Sequence, residues 1–355
     1  MAPASNHRDD PDAWARELGI SKEAIELYLE SEVIDLHVDS FIWHRLFGRD
    51  ITRRHGKGIF GGRFFGQADL PRLREAEIGG ATWVITTNPV REGTDRVETL
   101  LRNVNALLRT FEGVSNDVMI ARTASDYEAA RRANKHAAFV GIQGGNAFDE
   151  EPEALDRCPP GLLLRITLVH LTSSRLGGTS SPLGADAGIG RDGASFVERL
   201  DERRIFVDLA HAGRRSFWDA VEAHDATLPL LVTHTGVSGV HRHWRNIDDD
   251  QLRAVAKTGG VVGIMYHAPF LGDGLFSGRA ETVVRHLEHV RDVAGEDAPA
   301  LGSDWDGAIV TPRDMPTCLE LPRLVETMLR RGWRPDSVKK ALGANFLRAL
   351  REMRG

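Results

Sequence analysis

Histidine and aspartate side chains stand where several apolar runs of this sequence end. The run Val33-Ile34-Asp35-Leu36 leads into His37 and Asp39, two positions apart, and such residues share one face of an extended strand. Further runs end in single side chains of the same kind: His170, His211, His234 and Asp304. Neutral imidazoles and carboxylates bind zinc-like ions at about 2.0–2.2 Å and leave a position for water, which such an ion activates. The pattern therefore predicts a metal site for hydrolysis.

One histidine at a strand end is weak evidence, because such a residue is more often hydrogen-bonded in the core or at the rim. Five of the eight β-rich runs of the chain, however, end in a histidine or aspartate of this kind. In a barrel enzyme the strands deliver their catalytic groups at their carboxyl ends. We therefore expect these side chains to meet at one rim, since chance seldom places five there.

Asp304 is the candidate for moving protons during hydrolysis. A water that attacks a carbonyl needs a base to take its proton and later to pass it to the leaving amine. The alternative is that Asp304 only turns the chain within Asp304-Trp305-Asp306-Gly307, because aspartate favours turns. Of the two aspartates in this stretch, Asp306 is the better turn candidate.

Arg245 and His170 are candidates for holding the substrate. Arg245 follows the sixth run, and a guanidinium there can clamp a substrate carboxylate with two hydrogen bonds. Alternatively, Arg245 pairs with the aspartates of Asp248-Asp249-Asp250 at a helix start. His170 either binds a substrate oxygen or simply closes its strand. His241 and His243 are interpreted as surface residues.

The elements that position these side chains alternate along the chain. Short β-rich runs are predicted at Val33–Asp39, Ala81–Asn88, Ala137–Gly144, Leu162–His170, Arg204–His211, Leu228–His234, Gly259–Tyr266 and Ala300–Gly307. Helical periodicity is found at Leu70–Ala76, Arg96–Arg109, Asp126–Ala133, Ser195–Glu202, Arg214–Ala223, Asp249–Lys257 and Ala280–Val293. Helices between strands force parallel pairing, and nearly continuous apolar runs suit a sheet covered on both faces. We expect a closed (β/α)8 barrel, because an open doubly wound sheet would carry a glycine-rich dinucleotide fingerprint, and none follows an early strand.

The chain is predicted to divide into a helical N-terminal extension, residues 1–30, and a single barrel domain, residues 31–355. The extension has apolar residues at helical spacing, and Ser21 offers an N-cap for its second part. Two glycine-rich segments, Phe41–Gln67 and Thr172–Gly190, are expected to be flexible loops above the active face.

The composition is that of an ordinary globular enzyme. The chain has 355 residues, 41% hydrophobic and 27% charged, so it can bury a sizeable core. Its net charge of −6, without a basic stripe, argues against nucleic acid as a partner. Cys158 and Cys318 lie far apart and outside metal-binding spacings, so histidine and carboxylate must supply the metal ligands. The N-terminus has no apolar export signal and no stretch is long enough to span a bilayer, so we expect a cytoplasmic protein without membrane partners.

The order of these motifs resembles the membrane dipeptidase (renal dipeptidase) family of metallopeptidases over nearly the whole chain. The stretches that carry the resemblance are Asp35-Leu36-His37-Val38-Asp39, Asp69-Leu70-Pro71-Arg72-Leu73-Arg74, Asp208-Leu209-Ala210-His211, His234 followed by Arg245-Asn246, Gly302-Ser303-Asp304-Trp305-Asp306-Gly307, and Asn345-Phe346-Leu347-Arg348. Barrel amidohydrolases with a His-x-His first strand and a bridging lysine do not match, because the first run here carries His37-Val38-Asp39.

The resemblance implies a (β/α)8 barrel with a two-zinc site that hydrolyses dipeptides, often with a D-residue at the C-terminal position, and a homodimeric assembly. It implies that Asp304 moves protons beside a bridging water. It also implies that His170 and Arg245 hold the tetrahedral oxygen and the carboxylate region of the substrate.

The resemblance further assigns metal ligands, with His37 and Asp39 on one zinc and His211 and His234 on the other. The glutamate that bridges both metals in the family pattern Gly-x-Glu-Gly-Gly is replaced here by Gln143. A neutral amide offers one good oxygen but no negative charge, so it cannot replace a carboxylate between two dications. We expect weaker occupancy of at least one metal site.

Three hypotheses remain open because of Gln143. The first is a zinc-dependent dipeptidase in which a metal-bound hydroxide attacks the amide of a dipeptide. The second is a catalytically silent homologue that binds a small amino-acid-like ligand. The third is a hydrolase that uses one metal on another small amide, ester or lactone.

Overall fold

A computed structural model describes residues 7–56, 58–87, 94–185 and 187–355 of the chain. These residues form nine parallel strands: β1 Ile34–Val38, β2 Gly80–Thr86, β3 Val118–Ile120, β4 His136–Gln143, β5 Leu163–Thr167, β6 Phe206–Asp208, β7 Leu231–Thr235, β8 Val261–Ile264 and β9 Pro299–Leu301. Leaving out β3, each strand pairs with the next one along the chain, and β9 pairs with β1. The sheet therefore closes on itself, and the predicted (β/α)8 barrel is confirmed.

Each of the eight predicted β-rich runs overlaps one strand of the barrel. The last residue of the second run, Asn88, lies outside the described residues. The ninth strand, β3, is a feature that the sequence did not predict. It pairs only with the first three residues of β4. The same edge of β4 pairs with β5 from Val140 onward. A three-residue strand is too short to show a hydrophobic period, which explains why the prediction missed it.

Thirteen α-helices lie within the described residues. They are α1 Pro11–Leu18, α2 Lys22–Leu29, α3 Phe41–Phe47, α4 Leu70–Glu75, α5 Thr94–Glu112, α6 Ala124–Arg132, α7 Gly190–Glu202, α8 Arg214–Ala223, α9 Asp249–Lys257, α10 Ala280–Ala294, α11 Pro322–Arg330, α12 Pro335–Lys339 and α13 Asn345–Arg354. All seven predicted helices are confirmed, apart from the positions of some ends. None of the helices in the described ranges combines the length and the apolar character required to cross a bilayer.

The two N-terminal helices pack on the helical layer of the barrel. The Ser21 hydroxyl caps α2 by accepting a hydrogen bond from the amide of Ala24 at 3.2 Å, as predicted. The same hydroxyl donates to the Glu326 carboxylate of α11 at 2.5 Å. The hydroxyl of buried Tyr28 donates to the carbonyl of Ala76 at 2.7 Å. These contacts fix the extension to two separate parts of the barrel surface.

The prediction of a flexible loop at Phe41–Gln67 was wrong for its first part, which forms α3. Phe41 is fully buried in the apolar core, and Gly48 ends the helix in the left-handed region at φ 65°. Burial of the Phe41 ring thus fixes the start of a segment predicted to be flexible because of its glycines. The second predicted loop, Thr172–Gly190, forms no helix or strand in its described residues before α7 begins.

The interior of the barrel below its carboxyl end is polar. Strand register pairs Thr86 of β2 with Gln143 of β4, and Thr167 of β5 with Asp208 of β6. Arg165, also on β5, is fully buried. The main apolar core lies instead between the strands and the surrounding helices. The fold therefore holds a set of charged and hydroxyl side chains directly beneath the rim where the predicted ligands end.

Candidate active site

A cavity of about 410 Å³ lies at the carboxyl ends of the barrel strands. Its walls include six of the eight predicted site residues, Asp39, Gln143, His170, His211, Arg245 and Asp304. The other two, His37 and His234, are almost completely buried next to the cavity and contact its wall residues. Apolar side chains complete the wall, among them Ile42, Trp43, Trp244, Met265, Phe270 and Ile309. The structure therefore brings together all eight predicted residues, which lie on different elements of the barrel.

His211 and His234 meet on one side of the cavity. Their Nε2 atoms lie 2.9 Å apart, so the two imidazoles are placed to bind one shared atom. His234 is on β7, and His211 follows β6 in the left-handed region at φ 67°. Burial lowers the pKa of both imidazoles well below the ordinary value, which favours the neutral form that binds metals.

Hydrogen bonds behind His234 fix which of its nitrogens carries the proton. The Thr233 hydroxyl donates to Asp208 at 2.7 Å, so it can only accept from Nδ1 of His234, which lies 3.0 Å away. The Nδ1 atom therefore carries the proton, and Nε2 presents a lone pair towards His211. A metal-binding histidine usually donates its second N–H in this way to an acceptor behind it.

His37 has the opposite arrangement. The guanidinium of Arg165 lies behind its ring, with Nη2 2.7 Å from Nδ1. Arginine can only donate, so Nδ1 accepts and the proton of the neutral ring is on Nε2. That N–H lies 3.3 Å from Oδ2 of Asp39 and 3.7 Å from Oδ1 of Asp304. Burial lowers the pKa of His37, which agrees with a neutral ring.

Asp39 and Gln143 are linked by hydrogen bonds beside His37. Thr86 donates to Oδ1 of Asp39 at 2.6 Å, and the Gln143 amide lies 3.4 Å from Oδ2. The amide must present its nitrogen to this carboxylate, because two oxygens would repel. The buried Oε1 of Gln143 has no hydrogen-bond partner among the described residues, and the Gln143 side chain lines the cavity.

Asp304 lies beside both His37 and His234, whose ring centroids are 3.7 Å apart. Ligand atoms of Asp304, His37 and His234 are within 4.8 Å of one another, the only candidate metal-binding group found in the described ranges. Burial and the neighbouring Asp39 raise the pKa of Asp304 well above its ordinary value. Asp304 has a left-handed backbone at φ 63°, and its side chain reaches the cavity. It is thus both a turn residue and a wall residue.

Asp306 has the structural role that the sequence suggested. Its carboxylate accepts hydrogen bonds from Ser40 at 2.5 Å and from the amides of Gly66 and Gln67 at 2.7 and 2.9 Å. The side chain therefore connects the β9 loop to the long loop after β1. These contacts use the oxygens of Asp306 to hold the roof of the cavity rather than to reach its centre.

Arg245 and His170 lie on the cavity wall. Arg245 is buried and donates to the carbonyl of His234 at 2.6 Å. It does not pair with the aspartates at the start of α9, which bind other residues: Asp248 with Arg214, Asp249 with His289 and Asp250 with Arg253. The ring of His170 lies 4.7 Å from that of His211, edge to face. Both side chains are thus placed to contact a ligand.

Sequence reasoning missed the groups that support these side chains, above all Arg165, Asp208 and Thr233. Arg165 and Asp208 form a fully buried ion pair at 3.1 Å. A charged residue inside an otherwise apolar strand was the available signal, because arginine and aspartate are seldom fully buried without a partner. Thr233 gave no such signal, since threonine is common in strands.

The donor set fits a divalent metal on one side of the cavity. His211 and His234 converge with a free lone pair on His234, and the Asp304 carboxylate is close by. On the other side, the Nε2 atom of His37 carries a proton and both oxygens of Asp39 face hydrogen-bond donors. That side does not fit a second metal in the arrangement described.

The sequence of this chain is similar to those of known proteins. The family model for membrane dipeptidase (peptidase family M19) matches residues 21–354. An uncharacterised protein from the pqqA 5′ region of Klebsiella pneumoniae is 30% identical over 267 residues, covering 73% of this chain and 97% of that protein.

Solved structures also share the fold. The probable dipeptidase PvdM from Pseudomonas aeruginosa superposes with a TM-score of 0.83 at 15% identity, covering 95% of this chain and 98% of that one. A metallopeptidase from Rhodobacter sphaeroides, liganded with a phosphinate mimic of L-Ala-D-Ala, gives a TM-score of 0.79 at 22% identity, covering 91% and 99%. On the strength of the family match, this chain belongs to the membrane dipeptidase family, a family of metal-dependent peptidases.

Proposed function

We propose that the protein is a metal-dependent hydrolase that cleaves the amide bond of dipeptides or similarly small amides. The observation that carries this proposal is the convergence of His211 and His234, 2.9 Å apart at Nε2, beside Asp304 at a closed-in cavity. The volume of about 410 Å³ lies in the range of small-molecule sites and suits a dipeptide.

His211 and His234 would hold the metal, with the Asp304 carboxylate adjacent. A metal ion bound there supplies Lewis acidity, which activates water and polarises a carbonyl. Zinc is the proposed ion, because two imidazoles and a carboxylate are among its preferred ligands. The hydroxyl of Thr233 and the carboxylate of Asp208 hold the His234 ring in the tautomer that this requires.

Asp304 is proposed to take the proton from the attacking water and to deliver it to the leaving amine. Its side chain is on the cavity wall, beside His37 and His234. The N–H of His37, 3.7 Å from Oδ1, is placed to orient the carboxylate. One carboxylate can serve both steps, because the proton gained in the first is the one released in the second.

Arg245 and His170 are proposed to bind the substrate. Burial lowers the pKa of Arg245 to about 10, so its guanidinium remains a cation at neutral pH and can bind a carboxylate. His170, beside His211, is placed to contact the oxygen of the scissile carbonyl. The aromatic walls formed by Trp43, Trp244 and Phe270 offer apolar surface to the substrate side chains.

The finer features remain part of the proposal. The mimic of L-Ala-D-Ala in the Rhodobacter sphaeroides neighbour supports a test of dipeptides that end in a D-residue. A homodimer and a cytoplasmic location are proposed from the sequence alone. The silent homologue that binds an amino-acid-like ligand is the competing function, because Gln143 brings no charge to the site.

Hydrolysis of L,L- and L,D-dipeptides, measured together with bound metal, tests the proposal. We expect turnover by the wild type with zinc and loss of both metal and turnover in His211→Ala. His243→Ala is the matched control, because His243 is a half-buried histidine on the same side of the barrel that does not line the cavity. If the wild-type protein binds L-Ala-D-Ala without a metal and never hydrolyses it, the silent homologue would be favoured.

A further inference from the structure

Arg165 is a cation inside the barrel, 0% exposed, that reaches across the interior from β5 to β1. Asp208 balances its charge at 3.1 Å, and the carbonyl of Ile142 accepts a hydrogen bond at 3.2 Å. The Nη2 atom of the guanidinium lies 2.7 Å from Nδ1 of His37. A buried arginine with this many partners is held in place, so its contact with His37 is a fixed feature of the site.

We propose that Arg165 makes His37 a hydrogen-bond donor and that the protein consequently binds one metal ion per chain, on the side of His211 and His234. The inference rests on the proposed function, since it takes a metal at those two histidines as given. It goes further by assigning Arg165 as a positioning residue and by removing His37 from the metal ligands.

A nitrogen of His37 can bind a metal only if it has a free lone pair. A guanidinium has no acceptor, so Nδ1 of His37 must supply the lone pair for that hydrogen bond. If Nε2 also offered a lone pair to a metal, the ring would have no proton and would be an anion. Metal-binding histidines avoid this by donating their second N–H to an acceptor behind them, as His234 does towards Thr233.

Two further observations agree with a side that holds no metal. Asp39 already faces donors on both oxygens, the Thr86 hydroxyl and the Gln143 amide. Because Asp208 balances the charge of Arg165, the groups behind the ring of His37 bring no net negative charge that would attract a second cation. In place of a metal, this side presents the N–H of His37 towards Asp39 and Asp304.

Metal content after saturation with zinc and removal of the excess tests the inference without an activity assay. We expect about one zinc per chain in the wild type and in Gln143→Glu, because Arg165 still donates to Nδ1 of His37 in that variant and so keeps the ring proton on Nε2. We expect a second zinc only when Gln143→Glu is combined with Arg165→Met. Arg72→Met is the control, since Arg72 is also buried. It forms an ion pair with Asp69 at 2.7 Å, and neither residue lines the cavity.

Two results would overturn the inference: two zinc ions in the wild type, or a second zinc gained by Gln143→Glu alone. Because Arg165→Met removes a buried ion pair and can prevent folding, a second measurement uses the wild type. In ¹⁵N–¹H spectra of histidine-labelled protein, the signal that His37→Gln removes should show a proton on Nε2 and none on Nδ1. The reverse pattern contradicts the inference.

These measurements separate the inference from the proposed function. Absence of zinc and of hydrolysis in every variant would reject the metal-dependent hydrolase, whereas the tautomer of His37 would still be read directly from the spectra. One bound zinc and an Nε2 proton on His37, without turnover of dipeptides, would support the inference and would limit the failure to the choice of substrate.

Discussion

The two sides of the cavity carry the same kinds of residue and differ in what lies behind them. Behind His234, the Thr233 hydroxyl accepts a hydrogen bond from the ring and donates one to the Asp208 carboxylate. Behind His37, the Arg165 guanidinium donates a hydrogen bond to the ring. Asp208 is common to both, because it accepts from Thr233 and pairs with Arg165. The group behind an imidazole thus decides whether the ring can bind a metal.

Replacing one histidine from each side gives the largest contrast. His234→Ala should reduce kcat/KM by about 10³-fold or more. A bound metal lowers the reaction barrier by several kcal/mol, and about 1.4 kcal/mol changes the rate tenfold. His37→Gln should cost about tenfold or less and should retain the metal, since we assign it a positioning role. Steady-state kinetics and metal analysis check both. Equal losses of metal in the two variants would erase the difference between the sides.

Removal of the metal should lower the stability of the folded protein, because the metal bound at His211 and His234 is lost. With free zinc at 100 times its Kd, binding stabilises the folded state by about 2.7 kcal/mol, so a chelator should lower the Tm by several degrees. His211→Ala should show no such shift, because it lacks the site. Thermal unfolding with and without chelator measures this. A chelator-dependent shift in His211→Ala would place the metal elsewhere.

Two isosteric substitutions test the hydroxyls that support the two sides of the cavity, Thr233 behind His234 and Thr86 beside Asp39. Thr233→Val removes the acceptor behind His234 and should weaken zinc binding about 10- to 100-fold. Thr86→Val removes the donor to Asp39 on the other side and should leave the zinc Kd unchanged. Competition with a fluorescent chelator gives both constants. The idea fails if Thr86→Val weakens binding as much as Thr233→Val.

His136, at the opposite end of the barrel, is also a buried histidine and should have the smallest effect on activity. Trp83 donates to its Nε2 at 3.2 Å, and its Nδ1 donates to the carbonyl of Ile78 at 3.0 Å, so both nitrogens are occupied. Burial lowers its pKa from 6.5 to about 4. We expect His136→Gln to leave metal content and turnover unchanged.

The pKa of His136 predicts a pH effect on stability. The pKa is lower in the folded state, so this contribution is complete above pH 6.5 and is lost as pH falls towards 4. The total is about 3 kcal/mol, from about 1.4 kcal/mol per unit of pKa. Denaturant unfolding at pH 7 and pH 4.5 should therefore show a smaller pH dependence in His136→Gln. An identical pH dependence in both proteins would contradict this.

Prediction from the sequence succeeded for structural features that depend only on residues close together along the chain. The apolar runs and their helical spacers are such a property, and all eight runs became strands of the barrel. His37, His211 and His234 were found because strand ends are visible locally. The helix α3 was missed because burial of Phe41, which depends on the rest of the core, outweighed a glycine-rich loop signal.

The sequence by itself determined a parallel barrel and the kinds of side chain delivered to its rim, because hydrophobic period and residue type act over short distances. Only the tertiary structure decided which imidazole has a free lone pair. Closure of the barrel brings Arg165 to His37, 128 positions away, and register brings Asp208 to Thr233, 25 positions away. A proton position set by such contacts is not encoded in any short stretch of the chain.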